Sequence, residues 1–319
     1  MCLSRIYLNL FLKVDSNVAD YRLTFKQRFW TNEAKLAYLL MLPALAFLAF
    51  FMFYPIIYVF AMSLFKTNKI GHIQEFVFLQ NFVNTFKDVE FWRITARSGI
   101  WTVMGVATKT IFGMIIALIL NYKYRGRKIA RMLFIAPWAS SVPISAILWT
   151  WVYDQEFGLL SHTLIKLGIL AESPAWLGRP LLAFGSTLWV DVWIGIPFMA
   201  LIFLAGMQAI SEDLYESAYI DGVNHFQKFT YITLPGIAHI IIVATLLSAL
   251  WTFNDFNTIY ILTRGGPAGT TDILITGVYK NAFEWLKFSK ASVMAVVTFI
   301  ILMTVSIMYA RLYFKGENE

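Results

Sequence analysis

Six apolar stretches alternate with polar segments along this chain: residues 36–64, 98–122, 132–153, 181–208, 236–262 and 291–314. Each is long enough for a helical span, which needs about twenty apolar residues to cross ~30 Å of hydrocarbon. The pattern predicts an all-α fold, a polytopic transmembrane helical bundle of about six helices. It forms one membrane domain over residues 36–314, between a polar arm at 1–35 and a short tail at 315–319. No internal repeat is evident.

One polar segment is far longer than a connection between spans requires. Residues 211–235, SEDLYESAYIDGVNHFQKFTYITLP, read as two short helices broken at Gly222. Ser211 is placed to N-cap the first helix, with Glu212 and Asp213 in its first turn, where the helix dipole favours acids. Leu214 with Ala218, and Tyr215 with Tyr219, recur at i, i+4 and give that helix an apolar side. Gly222 supplies a turn that residues with a Cβ adopt poorly. Asn224 and Gln227 form a capping-box pair for the second helix, and Phe226, Phe229 and Thr233 extend its apolar face until Pro235 stops it. An amphipathic helix pair on a membrane protein is shaped to fill a partner's groove.

Composition agrees with a membrane protein: 59% of the 319 residues are hydrophobic and 14% charged, where a soluble chain carries roughly a quarter charged. The net charge of +7 fits basic loops on the cytoplasmic side of a membrane better than nucleic-acid binding. The short loop 123–131 holds Lys123, Arg125, Arg127, Lys128 and Arg131, and the longer 154–180 connection only Lys166 and Arg179. Six spans and that asymmetry put both termini, loop 123–131 and segment 211–235 in the cytoplasm, although Lys66, Lys69, Lys87, Arg93 and Arg97 then lie outside. Nothing in residues 1–35 reads as a cleavable signal, and Cys2, the one cysteine, permits no intrachain disulfide.

Glu216-Ser217-Ala218, then Asp221-Gly222, then Ile232-Thr233-Leu234-Pro235 resembles the "EAA loop" of binding-protein-dependent ABC transporter permeases. In that family the loop is a cytoplasmic coupling helix seated in a cleft of the ATPase subunit. The resemblance therefore assigns coupling to Glu216, Ser217, Ala218, Asp221, Gly222, Leu234 and Pro235. Ser217 stands where Ala is usual, and Val223 where Ala often follows the glycine.

Further motifs resemble the carbohydrate, maltose-type branch of these permeases. They are Ala136-Pro137-Trp138, the segment LWVDVWIGIPFM at 188–199, and an Asn-bearing fifth span, WTFNDFNTIY, followed by Gly265-Gly266-Pro267. The likeness covers residues 36–314, with specific motifs from about Ala136 onward. It carries sugar contacts onto Ile194, Gly195 and Phe198 of the fourth span and Leu250, Asn254 and Asn257 of the fifth. Phe198 stands where maltose-type members have a Tyr, so the hydroxyl is lost. Read as a continuous helix, the fifth span puts Asn254 and Asn257 on one face with Trp251, and two amides beside an aromatic plate suit a sugar. The alternative is that the amides bind neighbouring helices. Trp138, Trp149, Trp151 and Tyr153 read as an interfacial aromatic belt.

Three charges fall inside spans. Lys109 lies on the small-residue stripe Gly105, Lys109, Gly113, Ala117, which faces protein, and Asp191 and Asp255 are its possible counter-charges. A structural ion pair is the expectation, and two acids near the site argue against an anionic cargo.

The chain has no G-x-x-x-x-G-K-[ST] run, no H-E-x-x-H and only four histidines, so no metal site and no enzyme activity are expected. The resemblance implies no cofactor in this chain, since ATP and Mg would be bound by partner ATPase subunits. The implied partners are a second homologous permease, two ABC ATPase subunits, an extracytoplasmic sugar-binding protein, a mono- or oligosaccharide, and the lipid membrane. Competing readings are the same machinery for a polyol or glycerol phosphate, and a stand-alone secondary transporter.

Overall fold

The computed structural model describes residues 33–316, so all but the end of the polar arm and the last three residues of the tail lie outside the described residues. The chain divides after Tyr58 into two units. In the first, helix α1 (Glu33–Leu48) passes through one π turn, Ala49–Phe53, into the start of α2 (Tyr54–Leu64). Phe50, Phe51 and Met52 of this stretch are exposed, as suits a lipid-facing surface.

The second unit begins with the rest of α2, followed by a small antiparallel hairpin, β1 (Phe65–Thr67) and β2 (Ile73–Phe76), with Phe65 opposite Phe76. Helix α3 (Gln80–Phe86) follows. The hairpin departs from the all-helical expectation but lies outside the spans.

Helix α4 (Val89–Asn121) begins nine residues before the apolar stretch does, because Asp88 caps it by accepting from the Glu90 N–H at 2.9 Å. The third apolar stretch is not one straight helix. It is α5 (Arg127–Ala139) and α6 (Val142–Val152), bent by 96°. Pro143 lacks the N–H that would bond the Ala139 carbonyl, and Ser140 and Ser141 are extended. With that pair counted as one span, six helical segments among the described residues are long and apolar enough to cross a membrane. Beyond α7 (Leu159–Lys166) comes α8 (Pro180–Ala209), the most buried of the spans.

Segment 211–235 folds as α9 (Glu212–Ile220), α10 (His225–Lys228), a π turn Phe229–Thr233 and α11 (Leu234–Gly236). The capping box is present: Asn224 Oδ1 accepts from the Gln227 N–H, and Gln227 Oε1 from the Asn224 N–H. Two local expectations fail. Ser211 occupies the cap position without a side-chain hydrogen bond. Pro235 does not stop the helix but sits in the first turn of α11, where its missing N–H costs nothing.

The fifth stretch is also broken. Helix α12 (Ala238–Phe253) ends at Asn254, and Asp255 caps a new helix, α13 (Phe256–Thr263), by accepting from the Thr258 N–H at 3.1 Å. Short side-chain acceptors compete with the helix ladder, which accounts for a break at an Asn-Asp pair. A loop, α14 (Leu274–Tyr279) and α15 (Phe288–Gly316) complete the unit.

The core lies where α4 packs along α8. Gly113 permits that approach: a Cβ there would lie 2.6 Å from Met199 Cβ. Trp101 is wholly buried and donates through Nε1 to the Thr252 carbonyl, tying α4 to α12.

Candidate functional site

The two breaks and the buried face of α8 meet around a cavity of about 450 Å³. Helix α8 contributes Asp191, Ile194, Gly195 and Phe198, at i, i+3, i+4 and i+7 and hence on one face. Ser248 and Trp251 come from α12, Asn254 and Asp255 from the break itself, and Asn257 and Thr258 from α13. The bend between α5 and α6 adds Trp138, Ser140 and Val142, and α4 adds Lys109. Non-helical backbone at membrane depth is tolerated where it lines such a cavity.

Three rings form one wall. The Phe198 ring meets Trp251 edge-on with centroids 4.8 Å apart, and Trp138 at 6.1 Å. Trp138 and Trp251 are each about half exposed, 47% and 54%, and both line the cavity. Trp138, read from the sequence as a belt residue, lines the cavity just before the 96° bend. Trp151 remains outward-facing, and Tyr153 is buried with its hydroxyl donating to the Ser186 carbonyl.

The charges are resolved by geometry. Lys109 Nζ lies 2.7 Å from both carboxylate oxygens of Asp191, and donates also to Thr252 Oγ1 at 2.7 Å. Lys109 and Asp191 are both buried. Gly195 makes room for this lysine, since a Cβ there would lie 2.7 Å from Lys109 Cδ and Cε. Gly105 does the same for Asp191 and Thr252, at 3.1 and 3.0 Å. Asp255 takes no part in an ion pair among the described residues. Its Oδ1 caps α13, and its Oδ2 is buried without a hydrogen-bond partner there.

Six of the seven expected cargo residues line the cavity: Ile194, Gly195, Phe198, Trp251, Asn254 and Asn257. Leu250 does not; its carbonyl accepts from Asn254 Nδ2 at 3.0 Å. The shared helical face expected of Trp251, Asn254 and Asn257 is replaced by two helix ends that converge. Sequence reasoning missed Ser248, Thr258, Ser140 and Val142. Ser248 lies three residues before Trp251, so helical spacing could have found it. The other three depend on the breaks.

Segment 211–235 forms a second surface. Gly222 is left-handed, φ +72, and Val223 N–H returns to the Ala218 carbonyl at 3.0 Å, closing α9 with a Schellman-type turn. Tyr215 Oη and Thr233 Oγ1 share a hydrogen bond of 2.9 Å that clamps the two halves together. Ala218 is buried, whereas Glu216, Ser217, Asp221, Leu234 and Pro235 are exposed. Tyr219, Ile220, Phe226 and Tyr231 present large apolar groups outward. Such a surface is unusual for a loop meant to face water.

Residues 109–315 match the family described as binding-protein-dependent transport system inner membrane component. The chain is 36% identical over 296 residues to the trehalose/maltose transport system permease protein MalF of Thermococcus litoralis, covering 92% of this chain and 97% of that one. It is 34% identical over 284 residues to a probable ABC transporter permease protein of Brucella suis, covering 89% and 98%. Among solved structures it resembles a bacterial ABC transporter involved in import of the acidic polysaccharide alginate. There the TM-score is 0.76 at 24% identity, over 89% of this chain and 96% of that chain. The protein belongs to the binding-protein-dependent transport system inner membrane components, the permease subunits of ABC transporters.

Proposed function

We propose that this chain is the permease of an ABC importer for an uncharged mono- or oligosaccharide. The cavity carries this reading: three aromatic rings in mutual contact and two primary amides at a broken helix line it together. Sugar C–H faces rest on aromatic rings, and vicinal hydroxyls take the paired donors and acceptors of an amide. The Asn257 side chain makes no hydrogen bond to protein among the described residues, so its amide is available to a cargo. Relatives described as permeases for trehalose/maltose and, at 29% identity, diacetylchitobiose fit the same class.

Charge separates this from an anionic cargo. Asp191 occupies the one ammonium among the lining residues, so no free cation is left there to pair with an anion. An anion would have to shed its water there with no opposite charge to replace it. A relative described as a sulfoquinovosyl glycerol permease, 30% identical, is the reason to test this point.

In the proposed cycle the chain pairs with a second permease, both termini and segment 211–235 being cytoplasmic. Two ATPase subunits receive that segment, and an extracytoplasmic binding protein delivers the sugar. ATP-driven closure of the ATPases draws the docked helices together and turns the cavity toward the binding protein. The cargo then exchanges one set of hydroxyl partners for another, and the aromatic wall holds the ring during the switch.

The test is uptake by the reconstituted complex, with neutral sugars and their sulfonated or phosphorylated counterparts offered at equal concentration. Uptake confined to neutral sugars is expected. Preferential uptake of the anionic forms, or transport by this chain without ATPase subunits, would overturn the reading.

A further inference from the structure

A second cavity, of about 530 Å³, opens where α4 ends against segment 211–235. Its floor is apolar, formed by Leu118 and Ile119 from the last turn of α4 and by Phe229. Its polar lining consists of Asn121, Tyr122, Tyr215, His225, Lys228 and Thr233, with no carboxylate among the lining residues. His225 and Lys228 are the first and last residues of the single-turn α10, at i and i+3. Lys228 Nζ stands 5.1 Å over the Tyr219 ring and has no acidic partner among the described residues. The His225 ring makes no hydrogen bond there.

The position of this cavity fixes its surroundings. Helix α4 leaves the apolar span at Asn121, so the floor lies at hydrocarbon depth and the cationic side at the level of lipid headgroups. The following segment, 123–131, which runs into α5, carries five bases. Of these, Lys123 is held by Glu212 at 2.7 Å, and Arg131 donates to the Leu120 carbonyl. Basic clusters beside a span attract anionic lipid, and a cavity that pairs an apolar floor with cationic groups matches both parts of one lipid molecule.

We propose that this cavity binds the phosphate-bearing headgroup of an anionic phospholipid, with Lys228 and His225 facing the phosphate. A lipid seated there touches the end of α4 on one side and α10 on the other, so it fills the gap behind the segment assigned to ATPase coupling. Phosphate chemistry is common to lipids and soluble metabolites. The apolar floor selects the lipid.

Native mass spectrometry of the full chain in detergent tests this, with phosphatidylglycerol, phosphatidylcholine or glycerol 3-phosphate as probes. The expected result is preferential retention of phosphatidylglycerol. Lys228→Gln should reduce it roughly fivefold, the effect of one charge near an anionic headgroup, and Lys228→Gln with His225→Gln should reduce it further. Lys228→Arg keeps the charge and should retain the lipid, which separates loss of charge from a folding defect. Lys128→Gln, outside the lining, should change retention little. Equal retention of the two lipids by the wild-type chain would overturn the proposal. So would unchanged retention by the double variant, and displacement of lipid by glycerol 3-phosphate would make the site one for soluble phosphate instead.

Discussion

The Lys109 ammonium sits 2.7 Å from both carboxylate oxygens of Asp191, 82 residues away in sequence, with Thr252 Oγ1 as its third partner. One buried cation thereby joins α4, α8 and α12 beside the cavity. Removing it leaves a buried carboxylate unpaired, at a cost of about 3–5 kcal/mol. Lys109→Met should therefore lower the yield and melting temperature of the assembled protein. Adding Asp191→Asn should recover part of the loss, and adding Asp255→Asn should not. Thermal unfolding of the three variants decides this, and equal behaviour of the two double variants would rule out the pairing.

Gly195 lines the proposed cargo cavity and also makes room for the lysine chain. Gly195→Ala should cost about 1–3 kcal/mol by overpacking. In a Lys109→Ala background, where the clashing methylenes are gone, the same change should cost little more. The double-mutant cycle on melting temperature measures this coupling, and strict additivity would count against it.

Asn254 and Asn257 should respond differently. Asn254 bonds the Leu250 carbonyl at the break, so Asn254→Ala should weaken both fold and transport. Asn257 has no such tie, and Asn257→Ala should spare melting temperature. Loss of one hydrogen bond worth about 1–1.5 kcal/mol should slow uptake roughly tenfold. Uptake and ATPase activity in the same proteoliposomes, normalised to assembled complex, provide the comparison. A proportional fall in both for Asn257→Ala would point to structure rather than cargo.

Gly222 has open space around it, so its requirement is conformational. Asn enters the left-handed region readily and Leu does not. Gly222→Asn should keep most of the sugar-stimulated ATPase activity, while Gly222→Leu should lose most of it with the chain still in the membrane. Similar activities for the two would show that the turn does not control coupling.

Asp88 gives a pH dependence outside the spans. The hydrogen bond from Lys290 holds its carboxyl below the usual range, partial burial opposes this, and the Glu90 N–H assists. Because the folded-state value is lowered, the stabilisation is full above the ordinary carboxylate value of about 4 and fades as pH falls through the lowered one. The pair is part-exposed, so its contribution is under about 1 kcal/mol. Asp88→Asn should lower the melting temperature slightly at neutral pH and flatten its fall on acidification. A wild-type and variant difference constant with pH would exclude this role.

Much of the protein was legible in its sequence because the signals are local. Hydropathy places the spans, since each must satisfy its backbone internally and present apolar side chains. The Asn224–Gln227 cap and the Gly222 turn are set by residues at most a few positions apart. The stripe Gly105, Lys109, Gly113, Ala117 announced a buried face, and all four are buried. What only the tertiary structure decided is whatever joins distant segments or depends on a chain break. Lys109 had two acids within reach by depth, and the choice of Asp191 follows from α4 lying against α8 while Asp255 is spent on capping α13. Trp138 carries the same apolar signal as a belt residue, and only the tertiary fold sets it beside Phe198. Periodicity assumes that a helix continues, so it cannot see a cavity built where two helices end.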